Sequence, residues 1–471
     1  MSNYSNIFIF SGNHMLMFDE LDSRRITLFQ IKSVIVSGIG IFSDSYNLYA
    51  ISLIYYLVSA SLRLNPIQAS FMTSASFIGA ALGAFLFGFI ADRIGRKPMY
   101  GIDLAFIVAG SFLQIFTTNF YELVIFRSIL GFGIGGDYVL SPVIMAENAD
   151  TRDRGKLMIM TFPIMAAFGA MLVAFVDQIS LMYMPPDMVW HFVLAFGGVP
   201  ALLVIYLRRK IPETPRFEAR VRGNDEEIAR IEAETGSSIK VDIDRKPFMA
   251  RLRASIMLII VSAVLWILYD MYSTTFAIYG PITIAYNLGL TPITFTYYAE
   301  IFAGIPGAII SALLIDRVGR RKLIIVGYAG VFLWLLMYSL LLSKSFIFSA
   351  LASDVTTTGL IGKAAILGFT FYIMNYLFSA TGPASIIGGA MVTPEITPTK
   401  VRTTSQGMTV GLDRTADAIG LTAFPILLTK FGLSAMVLAY AMIAILSIIM
   451  IFMIPEAAGR SLEDVSRDLD A

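Results

Sequence analysis

Long apolar stretches, separated by short polar segments, cover almost the whole chain. A helix that crosses a bilayer needs roughly 20 mostly apolar residues, and by that measure the sequence predicts twelve spans. Their predicted extents are 33–59, 69–91, 99–117, 120–146, 156–177, 188–207, 254–286, 293–315, 322–343, 364–392, 403–427 and 432–454. The pattern therefore predicts an all-α membrane protein.

The longest polar segment divides these spans into six and six. Its middle, NDEEIARIEAE, predicts a short surface helix. The predicted organisation is a tail, a six-helix bundle, a linker, a second six-helix bundle and a second tail, at 1–32, 33–207, 208–253, 254–454 and 455–471.

The two bundles share a repeated sequence. GFIADRIGRKP at 88–98 follows the second span, and ALLIDRVGRRK at 312–322 follows the eighth. Halves related by an internal repeat are typical of alternating-access carriers, in which the solute site lies at the midplane between them. We therefore expect two pseudo-symmetric bundles.

The basic residues predict an orientation. Of 35 Lys and Arg residues, 29 lie in the tails and in the loops after even-numbered spans, and two, Arg127 and Arg414, lie inside spans. Cytoplasmic loops are enriched in Lys and Arg. The sequence thus predicts a multi-pass protein of the cell membrane with both termini in the cytoplasm.

Composition excludes several classes of site. The chain has no cysteine and two histidines, His14 and His191, so disulfides and cysteine metal sites are excluded and histidine metal catalysis is not expected. An enzyme would need a nucleophile–base pair, a metal cluster or a nucleotide loop, and a channel would need filter-like repeats; the sequence has none of these. No basic tract indicates nucleic acid. We expect no cofactor and no metal.

Three carboxylates interrupt the apolar stretches: Asp44, Asp137 and Asp270. A charge at the bilayer centre costs about 2.5–3.5 kcal/mol on insertion scales, so such groups face a wet cavity or a partner. We predict that all three handle the coupled proton and that Asp137 and Asp270 face one cavity. For Asp44 the alternative is a structural hydrogen bond to a nearby Ser or Tyr.

Other residues in these spans are candidates for solute binding. Trp266 and Asp270 are one helical turn apart and share a face. Arg414 is a candidate anion hook, because a guanidinium binds phosphate or carboxylate bidentately; at i, i+3 spacing it could instead pair with Asp417. Tyr138 is a candidate hydroxyl donor, or a packing residue. The predicted binding set is Asp137, Tyr138, Trp266, Asp270 and Arg414.

The repeated loops resemble the signature of the major facilitator superfamily, and the resemblance covers essentially the whole chain. The matching residues are Asp92, Arg93, Gly95, Arg96 and Lys97 in the first loop, and Asp316, Arg317, Gly319, Arg320 and Arg321 in the second, where Ala312 replaces the usual Gly. The resemblance implies a cytoplasmic latch that also involves Glu147 and Glu395. The alternative is a purely topological basic loop.

Three further strings resemble subfamilies. Pro212-Glu213-Thr214-Pro215-Arg216 and the 455–463 segment PEAAGRSLE are similar to motifs of sugar porters, and GIGGDYVLSPVIMAE at 133–147 is similar to the span 4 string of phosphate:proton symporters. The same resemblance implies that Asp44, Trp266 and Asp270 occupy family positions, with Arg414 at the place of a family lysine.

Several positions depart from that family. Asn47 replaces an acid, Thr274 a Tyr and Ala384 an Asn, and Met165 or Ala166 stands where a phosphate-contacting Gln is usual. We predict proton-coupled symport of a small anion, with inorganic phosphate as the leading solute, by a monomer. The alternative is a proton-coupled transporter of a sugar or an organic acid.

Overall fold

The computed structural model describes Phe18 and residues 27–467, and His14 lies outside this part. The first half contains six spanning segments. These are α1 (Leu28–Leu53), α2 (Pro66–Ile94), α3 (Ile102–Leu113), α4 (Phe120–Asn148), α5 (Arg154–Thr161, continued by Pro163–Tyr183) and α6 (Pro186–Phe196, continued by Gly198–Arg208).

The second half repeats this arrangement. It contains α7 (Phe248–Tyr279), α8 (Pro292–Ala299 and Ile305–Val318, joined by a π-helical turn, Glu300–Gly304), α9 (Arg320–Leu342), α10 (Gly362–Thr381) and the run Arg402–Met450. Gly432, with φ 77° and ψ 161°, divides that run into α11 and α12. The predicted fold of twelve spanning helices in two pseudo-symmetric bundles is confirmed.

The ends of the helices follow local sequence. Asn65 and Gln68 form a capping box at the start of α2, where Pro66 occupies a position whose backbone N–H would lack a helical partner. The tenth span, predicted at 364–392, is regular α-helix only to Thr381, because Gly382-Pro383 interrupts the regular turns; a π-helical turn, Ala384–Gly388, follows.

Small residues set the packing of the first half. A Cβ added at Gly131 would lie 1.9 Å from the Ser76 carbonyl oxygen, and one at Gly135 would lie 2.0 Å from that of Ala80. Helices α2 and α4 therefore touch backbone to backbone, as glycine at such positions permits. Gly133 packs against the backbone of Asp103 in α3, and Gly136 packs against the ring of Phe87.

The two repeated loops have the same backbone conformation. Gly95 (φ 105°, ψ 160°) ends α2, and Gly319 (φ 95°, ψ 158°) ends α8. Positive φ at both positions favours glycine. We call the end of the bundles that holds these loops and the linker the inner end, and the opposite end the outer end.

The linker lies across both halves at the inner end. Its helix, Asp225–Thr235, places Glu227 2.8 Å from Lys97 of the first half. On the other side, Lys400 donates to the carbonyl oxygen of Asp244 at 2.7 Å. The predicted surface helix is present, and the linker contacts the loops that follow α2 and α10.

Candidate functional site

A cavity of about 150 Å³ lies between the two halves, near the middle of the spans. Both halves contribute to its wall, as expected for a repeat-related pair of bundles. The first half supplies Ser45, Tyr49, Phe77, Tyr138 and Ala166 among others, and the second supplies Asp270, Ser273, Thr274, Glu300, Tyr376, Ala384, Ser385 and Arg414.

Arg414 is the cation of this cavity, and three carboxylates surround it. Its Nη1 lies 2.7 Å from Asp417, 3.1 Å from Asp270 and 3.6 Å from Asp413. Trp266 fixes one of these acids, because its Nε1 donates to the Asp270 carboxylate at 3.0 Å. We call Arg414 and these three acids the Arg414 cage.

The cage reaches across to the first half through an aromatic ring. The Arg414 guanidinium lies 4.5 Å from the ring centroid of Tyr138, within the range of a cation–π contact. Four of the predicted binding residues, Tyr138, Trp266, Asp270 and Arg414, are therefore in one contact group. Arg414 can act as the anion hook only if its contacts with the acids loosen.

The charge of the cage is unbalanced when every acid is ionised. Three carboxylates then face one guanidinium, which leaves two negative charges without compensation in the membrane interior. Both Asp413 oxygens are buried, and neither has a hydrogen-bond partner among the described residues. The cage therefore offers positions for protons, and each proton weakens its hold on Arg414.

Asp137 does not line this cavity. Its carboxylate lies 2.6 Å from Arg208 at the end of α6, and Arg208 also pairs with Asp103 at 2.7 Å. A Cβ at Gly40 would lie 1.7 Å from the same guanidinium, so glycine there leaves room for the pair. The expectation that Asp137 and Asp270 face one cavity is not met, because Arg208 holds Asp137 within the first half.

Asp44 is fully buried in α1 and has a different environment. Neither of its oxygens has a hydrogen-bond partner in the described part of the chain. The structural hydrogen bond to a Ser or Tyr, which was the alternative, is therefore not among the described contacts. An acid without such partners has room to bind and release a proton.

Three of the positions that depart from the phosphate symporters lie at the cavity, whereas Asn47 bonds to Ser43 and Gly197 within the first half. Ala166, Thr274 and Ala384 all line its wall, so two of the three present no side-chain hydrogen bond to a solute. Hydroxyl groups of Ser45, Ser273 and Ser385 stand nearby. The wall thus has one guanidinium, several hydroxyls and fewer amides than the sequence family would provide.

In and beside the cavity, three charged residues were not predicted from the sequence. Glu300 lines the cavity from α8, and Asp103 and Arg208 complete the pair with Asp137. The signal for Glu300 was available, since it lies inside the apolar string TYYAEIFAGIP. Arg208 follows directly after the predicted span 188–207, so the sequence places it in the linker.

At the inner end, the first repeated loop contacts the second half. Asp92 accepts from the backbone N–H groups of Thr403 (3.2 Å) and Thr404 (2.6 Å), at the start of α11. Glu147 binds Arg96 of its own half at 3.2 Å and Arg402 of the other half at 2.7 Å. A carboxylate at a helix N-terminus also complements the helix dipole.

The second loop makes the same contacts in the opposite direction. Asp316 accepts from the backbone N–H groups of Gly155 (3.0 Å) and Lys156 (2.8 Å), at the start of α5. Glu395 binds Arg320 at 2.7 Å and Arg154 of the first half at 2.8 Å. We call these two sets of contacts the inner gate.

Two of the predicted gate residues lie outside these contacts. Arg93 is exposed, and its guanidinium lies over the rings of Phe89 (3.2 Å) and Phe248 (4.9 Å). Arg317 is exposed as well. The D-R-x-G-R string therefore turns its first arginine away from the gate and its second one into it.

Comparisons with known proteins agree with this architecture. The family model described as "Sugar (and other) transporter" matches residues 34–469. A probable inorganic phosphate transporter 1-6 of Arabidopsis thaliana is 28% identical over 96% of each chain. A low affinity inorganic phosphate transporter 8 of Medicago truncatula is 26% identical over 95% of this chain and 92% of the relative.

A solved structure shares the fold. The proton:xylose symporter XylE, bound to 6-bromo-6-deoxy-D-glucose, superposes with a TM-score of 0.75 at 18% identity. The match covers 93% of this chain and 98% of that one. At this level of identity the likeness describes the arrangement of the helices and not the solute.

Proposed function

The chain belongs to the sugar (and other) transporter family, as a multi-pass membrane protein of the major facilitator fold, and we propose that it transports inorganic phosphate together with protons. Its curated relatives named as inorganic phosphate transporters match nearly the full length. The observation that supports this proposal most directly is Arg414, a guanidinium on a small cavity between the halves. Guanidinium groups bind phosphate bidentately.

Coupling follows from the charges of the Arg414 cage. A phosphate ion that approaches ionised Asp270, Asp413 and Asp417 is repelled, and Arg414 is already occupied. Protonation of these acids removes the repulsion and frees the guanidinium for the solute. When the cavity opens inward and the protons leave, the acids regain Arg414 and the anion is released.

The first half supplies a second group of proton sites in this proposal. Asp44 is unpaired in the described structure, and Asp137 is held by Arg208. Arg208 bridges Asp137 and Asp103, and its release from either acid would change the charge next to α1. We assign Asp44 to the proton pathway. Asp137 lies next to this pathway, and we do not assign it a direct contact with the solute.

We place the inner end in the cytoplasm, in agreement with the distribution of Lys and Arg, and the protein in the cell membrane as a monomer. The inner gate is closed in the structure, and in the proposed orientation this state is closed to the cytoplasm. Opening of this gate would release solute inward. The protein itself is expected to act without a cofactor, and not as an enzyme.

The decisive experiment is uptake by purified protein in proteoliposomes. Labelled phosphate should accumulate when the pH outside is lowered, and the same vesicles should show little uptake of labelled sugars or carboxylates. Asp44→Asn should abolish accumulation but keep counterflow, since it removes the proton site and not the cavity. Full accumulation by Asp44→Asn would remove that residue from the pathway.

A sugar is the second candidate, because the hydroxyls of Ser45, Ser273 and Ser385 line the cavity. Saturable sugar uptake without phosphate uptake would replace phosphate as the solute while leaving the transporter intact. Arg414→Ala separates the two. It should abolish phosphate binding, whereas a neutral sugar would lose only one set of hydrogen bonds.

A further inference from the structure

Glu300 of α8 is a buried carboxylate on the cavity that the coupling argument does not use. Only 2% of its surface is exposed, and it borders both the central cavity and a smaller chamber lined by Tyr272, Phe295 and Tyr372. Its described hydrogen bonds both come from the Tyr376 hydroxyl, at 3.0 and 3.2 Å. No ion pair with Glu300 occurs among the described residues.

The local backbone is built to hold this carboxylate in place. Glu300 opens the π-helical turn Glu300–Gly304, a kind of insertion that is frequent at functional sites. A Cβ at Gly304 would lie 2.0 Å from the Glu300 Oε2 atom. The Glu300 carboxylate therefore lies against its own helix at Gly304, where any larger residue would clash with it.

Most of its hydrogen-bonding capacity remains available to a solute. An ionised carboxylate offers about four lone-pair positions, and Tyr376 supplies one hydroxyl. The remaining lone pairs are on the side of the cavity. The wall of this cavity contains two other charged side chains, Asp270 and Arg414. A solute that suits both Glu300 and Arg414 must be an anion that also donates hydrogen bonds.

We propose that Glu300 selects a protonated oxyanion by accepting a hydrogen bond from its hydroxyl group, so that phosphate is taken and sulfate is refused. Inorganic phosphate carries at least one P–OH group in the neutral range, whereas sulfate carries none. Against sulfate, Glu300 presents a buried negative charge and no donor. A site that accepts a hydrogen bond from its ligand discriminates against an analogue without that donor, because the buried acceptor then stays unpaired.

This inference rests on the proposed function and deepens it. In this proposal Glu300 is ionised when the solute binds, because protonation of the other acids frees Arg414 in the same cavity wall to compensate its charge. Glu300 then accepts a hydrogen bond from the solute, whereas Gln at this position would present an amide that donates to any oxyanion. The selectivity between the two anions therefore depends on one side chain, while the attraction common to both depends on Arg414.

The test measures binding of labelled phosphate to the purified full-length protein in competition with unlabelled sulfate. In the wild type, sulfate should compete weakly. Glu300→Gln should strengthen sulfate competition, relative to competition by unlabelled phosphate, by about tenfold or more, since hydrogen bonds to charged groups have effects of this size. Glu226→Gln makes the same chemical change at an exposed position of the linker and should change nothing.

A second variant keeps the test decisive if Glu300→Gln does not fold. Tyr376→Phe removes the one donor described for Glu300, so the carboxylate stays and sulfate should remain excluded at least as strongly. Equal competition by sulfate in the wild type, unchanged selectivity in Glu300→Gln, or relaxed selectivity in Tyr376→Phe would each overturn this inference. A wild type that binds no phosphate overturns the proposed function itself.

Discussion

The two ends of the molecule are closed by different chemistry. At the inner end, the halves are joined by buried ion pairs, Glu147 with Arg402 and Arg154 with Glu395, and by carboxylates on helix N-termini. At the outer end, the described contacts between halves join neutral groups.

Three such outer contacts illustrate the difference. The Thr73 and Tyr279 hydroxyls lie 3.2 Å apart, Thr422 donates to Ser74 at 2.9 Å, and Tyr297 donates to Gln178 at 3.3 Å. Loss of one partner from a buried ion pair leaves an uncompensated charge, whereas single neutral hydrogen bonds exchange with water at little cost. The inner end is therefore the stronger closure, and the resting protein should favour the state that is open or ready to open outward.

The largest effect is expected from Glu147→Gln. It leaves Arg96 and Arg402 buried without their common partner, and breaking a buried pair in this way costs about 3–5 kcal/mol. The inner-closed state should lose that amount, so the population should shift to inward-open. Because the chain has no cysteine, an Ala384→Cys probe on the cavity can report this with an impermeant maleimide.

In that experiment, labelling from the inner side should rise and labelling from the outer side should fall. Glu226→Gln, on the exposed face of the linker, is the matched control and should leave both rates unchanged. Unaltered labelling in Glu147→Gln would mean that the ion pairs do not decide which end is open.

A smaller and symmetric effect is expected from Asp92→Asn and Asp316→Asn. Each substitution replaces one acceptor oxygen at a helix N-terminus by an amide donor, at a cost of about 1–3 kcal/mol. Arg96 and Arg320 lose one carboxylate partner but keep their pairs with Glu147 and Glu395, so neither guanidinium is left uncompensated. Because the two contacts are related by the repeat, both variants should slow turnover to a similar extent and leave solute binding nearly unchanged. Uptake kinetics compared with equilibrium binding distinguish these outcomes; a loss of affinity at constant turnover would argue against a gate.

The sequence predicted this gate better than it predicted the cavity. The repeated string lies at helix ends, and the motif alone pointed to Asp92, Arg96, Asp316 and Arg320. It pointed equally to Arg93 and Arg317, which lie outside the gate contacts. The gate partners Arg154 and Arg402 come from other helices and carry no such motif. Only the contacts between the halves identify Arg154 and Arg402 as gate residues.

The cavity depends on which face of each helix turns inward. Asp137 and Tyr138 are adjacent in sequence, yet Tyr138 lines the cavity and Asp137 faces Arg208. An α-helix has 3.6 residues per turn, so adjacent residues point in different directions. In a nearly uniform apolar span, the sequence gives little information about how the helix is rotated about its axis. The depth of Asp137 in its span was thus predictable. The direction of its side chain was not, because it depends on Arg208 at the end of another helix.

Substitutions at the outer end should shift the labelling less than the substitutions at the inner end. Tyr279→Phe and Thr422→Val each remove one neutral hydrogen bond between the halves, worth about 0.5–1.5 kcal/mol. Labelling of the Ala384→Cys probe from the outer side should rise modestly in each variant. An outer variant that shifts labelling more than Glu147→Gln does would reverse the ranking of the two ends.

The smallest effect is expected where the repeated motif turns away from the gate. Arg317 is exposed, and substitutions at exposed positions without special contacts usually change stability by less than about 0.5 kcal/mol. Arg317→Ala should therefore leave labelling and uptake close to those of the wild type. Arg320→Ala, three residues on, removes the partner of Asp316 and Glu395 and should open the inner end. Since both variants lose one positive charge from the same loop, a purely topological role of that charge would affect them equally; a clear difference between them assigns the effect to the contacts of Arg320.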